Sequence, residues 1–305
     1  MKSAIYVGSG AVILAALLWS LDGFLRRELY SLPASVVVFW EHLFGLVILL
    51  PFMLHHTSAW RSFSRRQWLA ICGVALLSGL LGTFFYTAAL GRVQYIQFSV
   101  VVLLQQLQPL FAIFAAYLLL RERISKKFLG LTVLALVSVY FVSFPDLRVH
   151  LSEGGANVVA AFLALGSAAA WGSSTAFSKY SLRGTSPLHT TATRFGFATI
   201  FALVLVGLQG HGSKLVQLST AQWTYLLAIT LSTGAVALAI YYFGLKRIPA
   251  SRSTILELTW PISAVVIGYL AFGERLSATQ WLGALMLVLV MLKITRDAKR
   301  AENTL

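Results

Sequence analysis

Residues 103–109 (LLQQLQP) lead through an apolar run to residues 121–125 (RERIS), and this element decides the fold because a second copy follows it. The second copy reads LELTWP at 256–261 and GERLS at 273–277. In both copies a polar side chain lies four residues before a proline, and a glutamate and a serine follow at matching distances. These four positions all share an offset of 152 residues. The sequence therefore contains an internal repeat, which is the first guide to its architecture.

The proline of each copy is expected to kink a helix at a polar residue. A proline inside a helix lacks the backbone N–H and collides with the carbonyl four residues earlier. Pro109 and Pro261 would therefore kink their helices and free the carbonyls of Gln105 and Glu257. We expect a free carbonyl and a polar side chain to coincide once in each copy.

The composition is that of an integral membrane protein. Of the 305 residues, 58% are hydrophobic and 11% are charged, and the mean hydropathy is +0.79, which lies outside the range of ordinary soluble domains. The net charge of +14 does not indicate nucleic-acid binding, because the Lys and Arg residues lie between apolar runs and form no basic stripe. The predicted environment is the lipid bilayer, with no nucleic-acid partner.

Ten apolar runs are long enough to span a membrane, since a spanning helix needs about 20 mostly apolar residues. They lie at approximately 3–25, 33–54, 67–90, 94–120, 126–144, 156–180, 187–209, 221–244, 248–272 and 277–295. Five runs fall in each copy, which places the first repeat at 1–148 and the second at 149–305. Because five is odd, the second repeat enters the membrane from the opposite side. The prediction is an all-α polytopic membrane protein with ten transmembrane helices as two inverted five-helix repeats.

Positive charges predict the orientation of these helices. With the N-terminus inside, the inner segments hold seventeen Lys and Arg residues and the outer segments hold six, Arg26 among them. Cytoplasmic loops carry the excess of Lys and Arg in membrane proteins. Both termini are therefore predicted to be cytoplasmic, in a multi-pass protein of the plasma (inner) membrane.

Four titratable residues inside the predicted spans are candidates for function: Glu41, His42, Arg194 and Glu257. A charge at the centre of a spanning helix costs at least about 2.5 kcal/mol, so it needs a partner, a water-filled cavity or a function. Glu257 is the candidate substrate or proton site, where the broken helices of two inverted repeats meet. The alternative is a protonated carboxyl that holds neighbouring helices together.

Arg194 and His42 occupy equivalent positions in the two repeats. Recurrence in both halves favours a scaffold role for Arg194, an ion pair that locks helix packing, over recognition of an anionic substrate group. Glu41 faces about a hundred degrees away from His42 on a helix, so the two need not serve one site. Asp22 and Lys179 lie toward the ends of their spans, where they can reach the interface.

Gln105, Tyr86, Trp171 and Tyr242 complete the candidate substrate contacts. Gln105 is included because it is the equivalent of Glu257, and the three aromatic residues because they lie on candidate cavity-facing helices. An aromatic wall suits an apolar or aromatic metabolite, although aromatic packing is the commoner explanation in a membrane protein. The sequence contains no phosphate loop, zinc motif or Cys-x-x-Cys pair. No catalytic, metal or cofactor site is predicted.

Several motifs match a known family. They are residues 171–174 (WGSS) with Lys179, residues 245–247 (LKR), and the element from Pro261 to 273–277. On these the chain resembles the drug/metabolite transporter superfamily, in its ten-helix EamA-type branch, over essentially its whole length. The resemblance implies two antiparallel five-helix repeats around a central cavity and alternating access for small metabolites, which are often exported. The family commonly has glutamate directly before the proline, where this chain has Gln108 and Trp260.

The predicted function is a secondary transporter of a small organic metabolite or drug-like solute. We expect an exporter driven by protons or by the substrate gradient, with Glu257 as the proton-sensitive group. Two alternatives stay open, a polytopic membrane enzyme acting on a lipid-linked substrate and an uncoupled facilitator. The sequence does not indicate an oligomeric state.

Overall fold

The computed structural model describes residues 2–55, 60–61, 63–91, 104–143, 155–263, 266 and 277–302, and these residues form helices and no strands. The α-helices of the first repeat are α1 (Lys2–Trp19), α2 (Asp22–Arg27), α3 (Ala34–His55), α4 (Arg65–Val74), α5 (Thr83–Leu90), α6 (Gln108–Leu120) and α7 (Lys126–Ser143). Those of the second repeat are α8 (Gly155–Ser181), α9 (Pro187–Leu208), α10 (Thr220–Ile229), α11 (Ala235–Leu245), α12 (Ala250–Leu256) and α13 (Ala278–Glu302).

Helical stretches in the described part of the chain are long and apolar enough to cross a membrane. There are six of them, Ala4–Arg26, Ala34–Phe52, Arg65–Leu90, Val159–Ser181, Pro187–Leu208 and Thr220–Leu245, with two shorter apolar helices at Gln108–Leu120 and Ala278–Ile294. The predicted all-α polytopic membrane protein is confirmed. Parts of the predicted fourth, fifth and ninth spans lie outside the described residues.

The third span of each repeat is built in the same way. A capping box opens α4, in which Ser64 Oγ accepts from the Gln67 N–H and the Gln67 side chain accepts from the Ser64 N–H. The same box recurs at Ser219, where α10 begins. A π-helical turn at Ala75–Gly82 joins α4 to α5, and another at Thr230–Gly234 joins α10 to α11. The two capping boxes begin 155 residues apart, and so do the two π turns. The two repeats therefore share the same departures from regular α-helical geometry.

The first span is interrupted near its C-terminal end without a proline. Helix α1 ends at Trp19, Ser20 and Leu21 form a turn, and α2 then continues the span. The last carbonyls of a helix have no partner within it. The Trp19 carbonyl instead accepts a hydrogen bond of 3.0 Å from the indole Nε1–H of Trp260 in the second repeat. The break therefore joins the two repeats.

Turns at 106–107 and 257–258 interrupt the chain just before Pro109 and Pro261, the two prolines at equivalent positions of the repeats. Glu257 lies in the second turn, four residues before Pro261. The free carbonyl predicted for Glu257 is wrong, because the Trp260 N–H donates to it at 3.0 Å. The chain tightens locally to an i to i+3 bond, which replaces the hydrogen bond that the proline cannot make. The backbone carbonyl of Glu257 is therefore satisfied within the turn, and only the Glu257 side chain is available to bind other groups.

The two repeats interlock, and their main helix contacts cross from one repeat to the other. Helix α3 packs on α9, α7 on α13, α6 on α8 and α1 on α11. Glycine permits the closest approaches. A Cβ atom at Gly172 of α8 would lie 2.5 Å from the carbonyl oxygen of Gln108, and one at Gly244 of α11 would lie 2.7 Å from that of Gly8. The space between the repeats is consequently walled by both of them.

Candidate functional site

A cavity lies between the two repeats, with about 1160 Å³ of space between its walls including its opening. Seven of the eight predicted substrate or proton contacts line it, namely Glu41, His42, Tyr86, Gln105, Trp171, Arg194 and Glu257. The eighth, Tyr242, is 1% exposed and lies behind the wall, where its hydroxyl contacts Ser178 and Arg194. The sequence thus locates the cavity, with Tyr242 as a supporting residue.

The Glu257 carboxylate is held by two neutral donors from different helices. The Tyr241 hydroxyl of α11 donates to Oε1 at 2.8 Å, and the Gln108 amide of α6 donates to Oε2 at 2.9 Å. Among the described residues no cation lies within 4.0 Å of this carboxylate. A carboxylate satisfied by neutral donors inside a membrane can accept a proton or a cation without first breaking an ion pair.

Gln105, the counterpart of Glu257 in the first repeat, does not contact it, and Gln108 does so instead. Gln105 Oε1 is buried and has no hydrogen-bond partner among the described residues, and the same holds for Arg194 Nε and Thr254 Oγ1. All three residues line the cavity. Buried polar atoms without a partner are uncommon in native proteins and cost about 1–3 kcal/mol each. Their clustering around one cavity provides hydrogen-bonding groups that a bound molecule can satisfy.

A cluster of three charges, Asp22, Arg26 and Glu41, lies at one side of the cavity. Arg26 Nε and Nη2 donate to the Asp22 carboxylate at 2.7 and 3.0 Å, and Nη1 and Nη2 donate to that of Glu41 at 3.1 and 3.3 Å. Nη1 also donates to Thr87 Oγ1 at 3.1 Å, and Thr233 Oγ1 donates to Asp22 at 2.8 Å. A guanidinium has five N–H groups, and all five are used here. The cluster therefore ties α2, α3 and α5 to the π turn of the second repeat.

The sequence predicts Arg26 among the outer loop charges and Asp22 near the interface. The structure instead buries Arg26, which is 2% exposed. One signal was present, because Asp22 and Arg26 stand four residues apart, the spacing at which opposite charges meet on a helix. A second signal is that a charged Glu41 inside a span needs a partner, a water-filled cavity or a function.

Arg194 makes contacts with hydroxyl groups and with no carboxylate that the structure describes. Its Nη2 donates to Ser78 Oγ at 2.6 Å and its Nη1 to the Tyr242 hydroxyl at 3.3 Å. The predicted locking ion pair is therefore not observed within the described residues. His42 donates from Nδ1 to the Val38 carbonyl at 2.8 Å, since a carbonyl can only accept. The Nε2 atom of the neutral ring is left as an acceptor.

Two aromatic pairs line the cavity, and the repeat relates them. Trp19 of the first repeat packs on Tyr241 of the second, with ring centroids 5.2 Å apart and ring planes at 53°. Trp171 of the second repeat packs on Tyr86 of the first, at 5.2 Å and 52°. Offsets of 152 and 155 residues relate the tryptophans and the tyrosines. Each repeat therefore supplies one ring to each pair, and the cavity has an aromatic surface on either side of the pseudo-twofold axis.

The charged residues that line the cavity are not related by this pseudo-twofold symmetry. The residues at the 152 offset from the charge cluster of the first repeat are the hydroxyl residues Ser174, Ser178 and Thr193. In reverse, His42 of the first repeat corresponds to Arg194 of the second. A symmetric aromatic cavity thus has one side rich in charge and one side rich in hydroxyl groups. Among the described residues, no group of three His, Cys, Asp or Glu side chains could hold a metal ion.

Comparison with known proteins gives a family and several named relatives. The model of the EamA-like transporter family matches residues 7–144 and 158–296. The chain is 35% identical to the riboflavin transporter ImpX of Fusobacterium nucleatum subsp. nucleatum over 95% of this chain and 97% of that protein. It is 27% identical to a riboflavin transporter of Rhizobium johnstonii over 97% and 93%, and 24% identical to protein LicB of Haemophilus influenzae over 90% and 92%.

A solved crystal structure has the same fold. It superposes with a TM-score of 0.76 over 99% of both chains, at 18% sequence identity. At that identity the likeness concerns the fold alone. The family model matches the chain in two consecutive segments.

Proposed function

The chain belongs to the EamA-like transporter family, and from that premise we propose that it carries riboflavin, or a similar planar aromatic heterocycle, across the membrane by alternating access. Membership makes it a small-molecule transporter and not an enzyme. Two of the relatives named above are riboflavin transporters. The observation that carries the proposal is the pair of symmetry-related Trp–Tyr walls around one cavity.

The chemistry of the cavity fits that substrate class. Riboflavin combines a flat ring system, whose edge both donates and accepts hydrogen bonds, with a chain of hydroxyl groups. Aromatic side chains offer flat apolar surfaces against which such a ring can stack. The amides of Gln105, Gln106 and Gln108 line the same cavity and can meet the polar ring edge. The hydroxyl-rich side at Ser174 and Ser178 is suited to the hydroxylated chain.

The test is transport of labelled riboflavin by the purified full chain in proteoliposomes. We expect saturable transport that is blocked by unlabelled riboflavin and by the bare flavin ring system, but not by the free sugar alcohol. Liposomes without protein supply the background. Absence of transport from either side of the membrane would contradict the proposal.

Direction and coupling are parts of the same proposal. We propose export, as the family resemblance implies, with both termini in the cytoplasm of a plasma-membrane protein, as the positive charges predict. Accumulation of riboflavin against its gradient under an imposed proton gradient indicates coupling. Equilibration without accumulation would identify an uncoupled facilitator.

Replacement of Glu257 by glutamine is expected to abolish the pH dependence of transport and leave the protein folded. The amide occupies the same volume and still offers an oxygen to the Tyr241 hydroxyl, but it cannot bind or release a proton. Transport rates are measured in proteoliposomes over a range of pH, with folding checked by gel filtration.

Glu257→Asp is the matched control, because it keeps a titrating carboxyl at the same position. It is expected to retain pH dependence even where the rate falls. A Glu257→Gln protein with the pH profile of the wild type would remove Glu257 from coupling.

A further inference from the structure

Tyr241 makes two contacts at once, an aromatic contact with Trp19 and a hydrogen bond to Glu257. Its ring forms the Trp19 wall of the cavity, with centroids 5.2 Å apart, and its hydroxyl donates to Glu257 Oε1 at 2.8 Å. It is 6% exposed, so its ring has little freedom apart from these contacts. The Ser253 and Thr175 side chains also hydrogen-bond Tyr241, and Glu257 is the one carboxyl group among these partners. A change in the charge of Glu257 therefore changes the set of hydrogen bonds that orients the ring against Trp19.

The other wall has the same rings without this connection. Tyr86 packs on Trp171 with the same centroid distance of 5.2 Å, and Gln105 stands where Glu257 stands in the second repeat. Gln105 Oε1 accepts a hydrogen bond from no described residue, Tyr86 included. An amide also cannot titrate. The two walls thus match in shape and differ in their link to a titrating group.

We propose that Tyr241 is a positioning residue that transmits the ionisation of Glu257 to the Trp19 wall, so that one aromatic wall of the substrate cavity responds to pH while the other is fixed. This inference rests on the proposed transport of an aromatic substrate. An ionised carboxylate accepts the Tyr241 hydrogen bond and holds the ring in place, because hydrogen bonds to charged acceptors are the stronger ones. A proton on the carboxyl replaces this charged acceptor with a neutral group, so the hydrogen bond that holds the Tyr241 ring in place becomes weaker.

Other charged groups near Glu257 have partners of their own. Within the cavity they are Asp22, Arg26, Glu41, His42 and Arg194, whose described hydrogen bonds go to one another or to hydroxyl and carbonyl groups. On the elements packed against α12, Lys179 of α8 donates to the Leu245 carbonyl at 2.7 Å, and Glu122, which follows α6, accepts from the Ala250 N–H at 2.8 Å. Lys293 and Asp297 of α13 pair with each other at 3.6 Å. Among the described residues only Tyr241 and Gln108 hydrogen-bond the Glu257 carboxylate.

The first measurement needs no substrate. The fluorescence of the purified full chain is recorded from mildly acidic to mildly alkaline pH, and the difference from Trp19→Phe gives the emission of Trp19. We expect that emission to change with pH in the wild type and to be flat in Tyr241→Phe, which keeps the ring and removes only the hydroxyl. Tyr86→Phe is the matched control from the other wall, and it is expected to keep the wild-type pH response.

The second measurement uses riboflavin as the probe. Quenching of riboflavin fluorescence gives the dissociation constant of each variant at both ends of the pH range. The wild type is expected to bind about tenfold more tightly at the alkaline end, a ratio that corresponds to the loss of one hydrogen bond to a charged group. Tyr241→Phe and Glu257→Gln are each expected to lose this ratio. Their combination is expected to add nothing, because the two residues act in one path.

A Tyr241→Phe protein that retains the pH response of Trp19 and the wild-type affinity ratio would overturn the inference, as would a loss of both in Tyr86→Phe. A wild type that binds no riboflavin at any pH contradicts the proposed function instead. In that case the substrate-free fluorescence titration still decides whether Tyr241 transmits the state of Glu257.

Discussion

Replacement of Arg26 by methionine is expected to destabilise the protein by about 3–5 kcal/mol, the cost of removing one partner from a buried ion pair. The substitution leaves the Asp22 and Glu41 carboxylates facing each other with side-chain exposures of 13% and 10%. Both lose their charged donor, and Thr87 loses its contact with Nη1. Thermal unfolding in detergent, followed by the retention of monodisperse protein, measures the effect.

The neutral triple variant Arg26→Met with Asp22→Asn and Glu41→Gln is the decisive companion. It removes the uncompensated charge along with the arginine, and buried ion pairs replaced as a set are often neutral for stability. We therefore expect it to recover most of the loss. An Arg26→Met protein as stable as the wild type would mean that water reaches the cluster and screens it.

Gly172→Ala is expected to cost about 1–3 kcal/mol through overpacking and to lower transport. The new Cβ would lie 2.5 Å from the Gln108 carbonyl oxygen and 3.1 Å from the Ala112 N atom. These are backbone atoms, so α6 must move away from α8. Because Gln108 donates to Glu257, the movement also reaches the proposed coupling site. Thermal unfolding and the riboflavin transport rate are the two readouts.

Gly130→Ala is the matched control, because a Cβ atom there meets nothing within 4 Å. Alanine is the better helix former, so this variant is expected to be as stable as the wild type or slightly more so. Equal effects of the two substitutions would show that the α6–α8 contact is not the sensitive one.

The architecture could be predicted because it follows from regularities that extend along the whole sequence. Apolar runs of spanning length, a constant offset between polar residues and prolines, and an odd number of helices per copy lead directly to two five-helix repeats. The same regularities place Glu257 and Arg194 in the cavity, since a charge inside a spanning helix must turn toward one. Parts of the fold that follow from composition and period are therefore readable without coordinates.

Parts of the site depend on local backbone geometry, which neither the repeat offset nor the pattern of apolar residues in the sequence determines. The break after Trp19 falls at Ser20 and Leu21, which are neither proline nor glycine, and beyond it Arg26 is buried against Glu41. Gln108 donates to Glu257 although the sequence identifies it only as the residue before Pro109, and the turn at 106–107 separates it from Gln105. The exchange of Trp and Tyr between the two walls requires the packing of α1 on α11, which only the structure shows.

The two π turns bear on the history of the chain. A π turn is wider than an α-helical turn, because its hydrogen bonds join residues five positions apart. Here the turns begin at Ala75 and Thr230, at the offset that also relates their capping boxes. Duplication of one five-helix unit that already held both the capping box and the π turn accounts for their common offset in the two repeats.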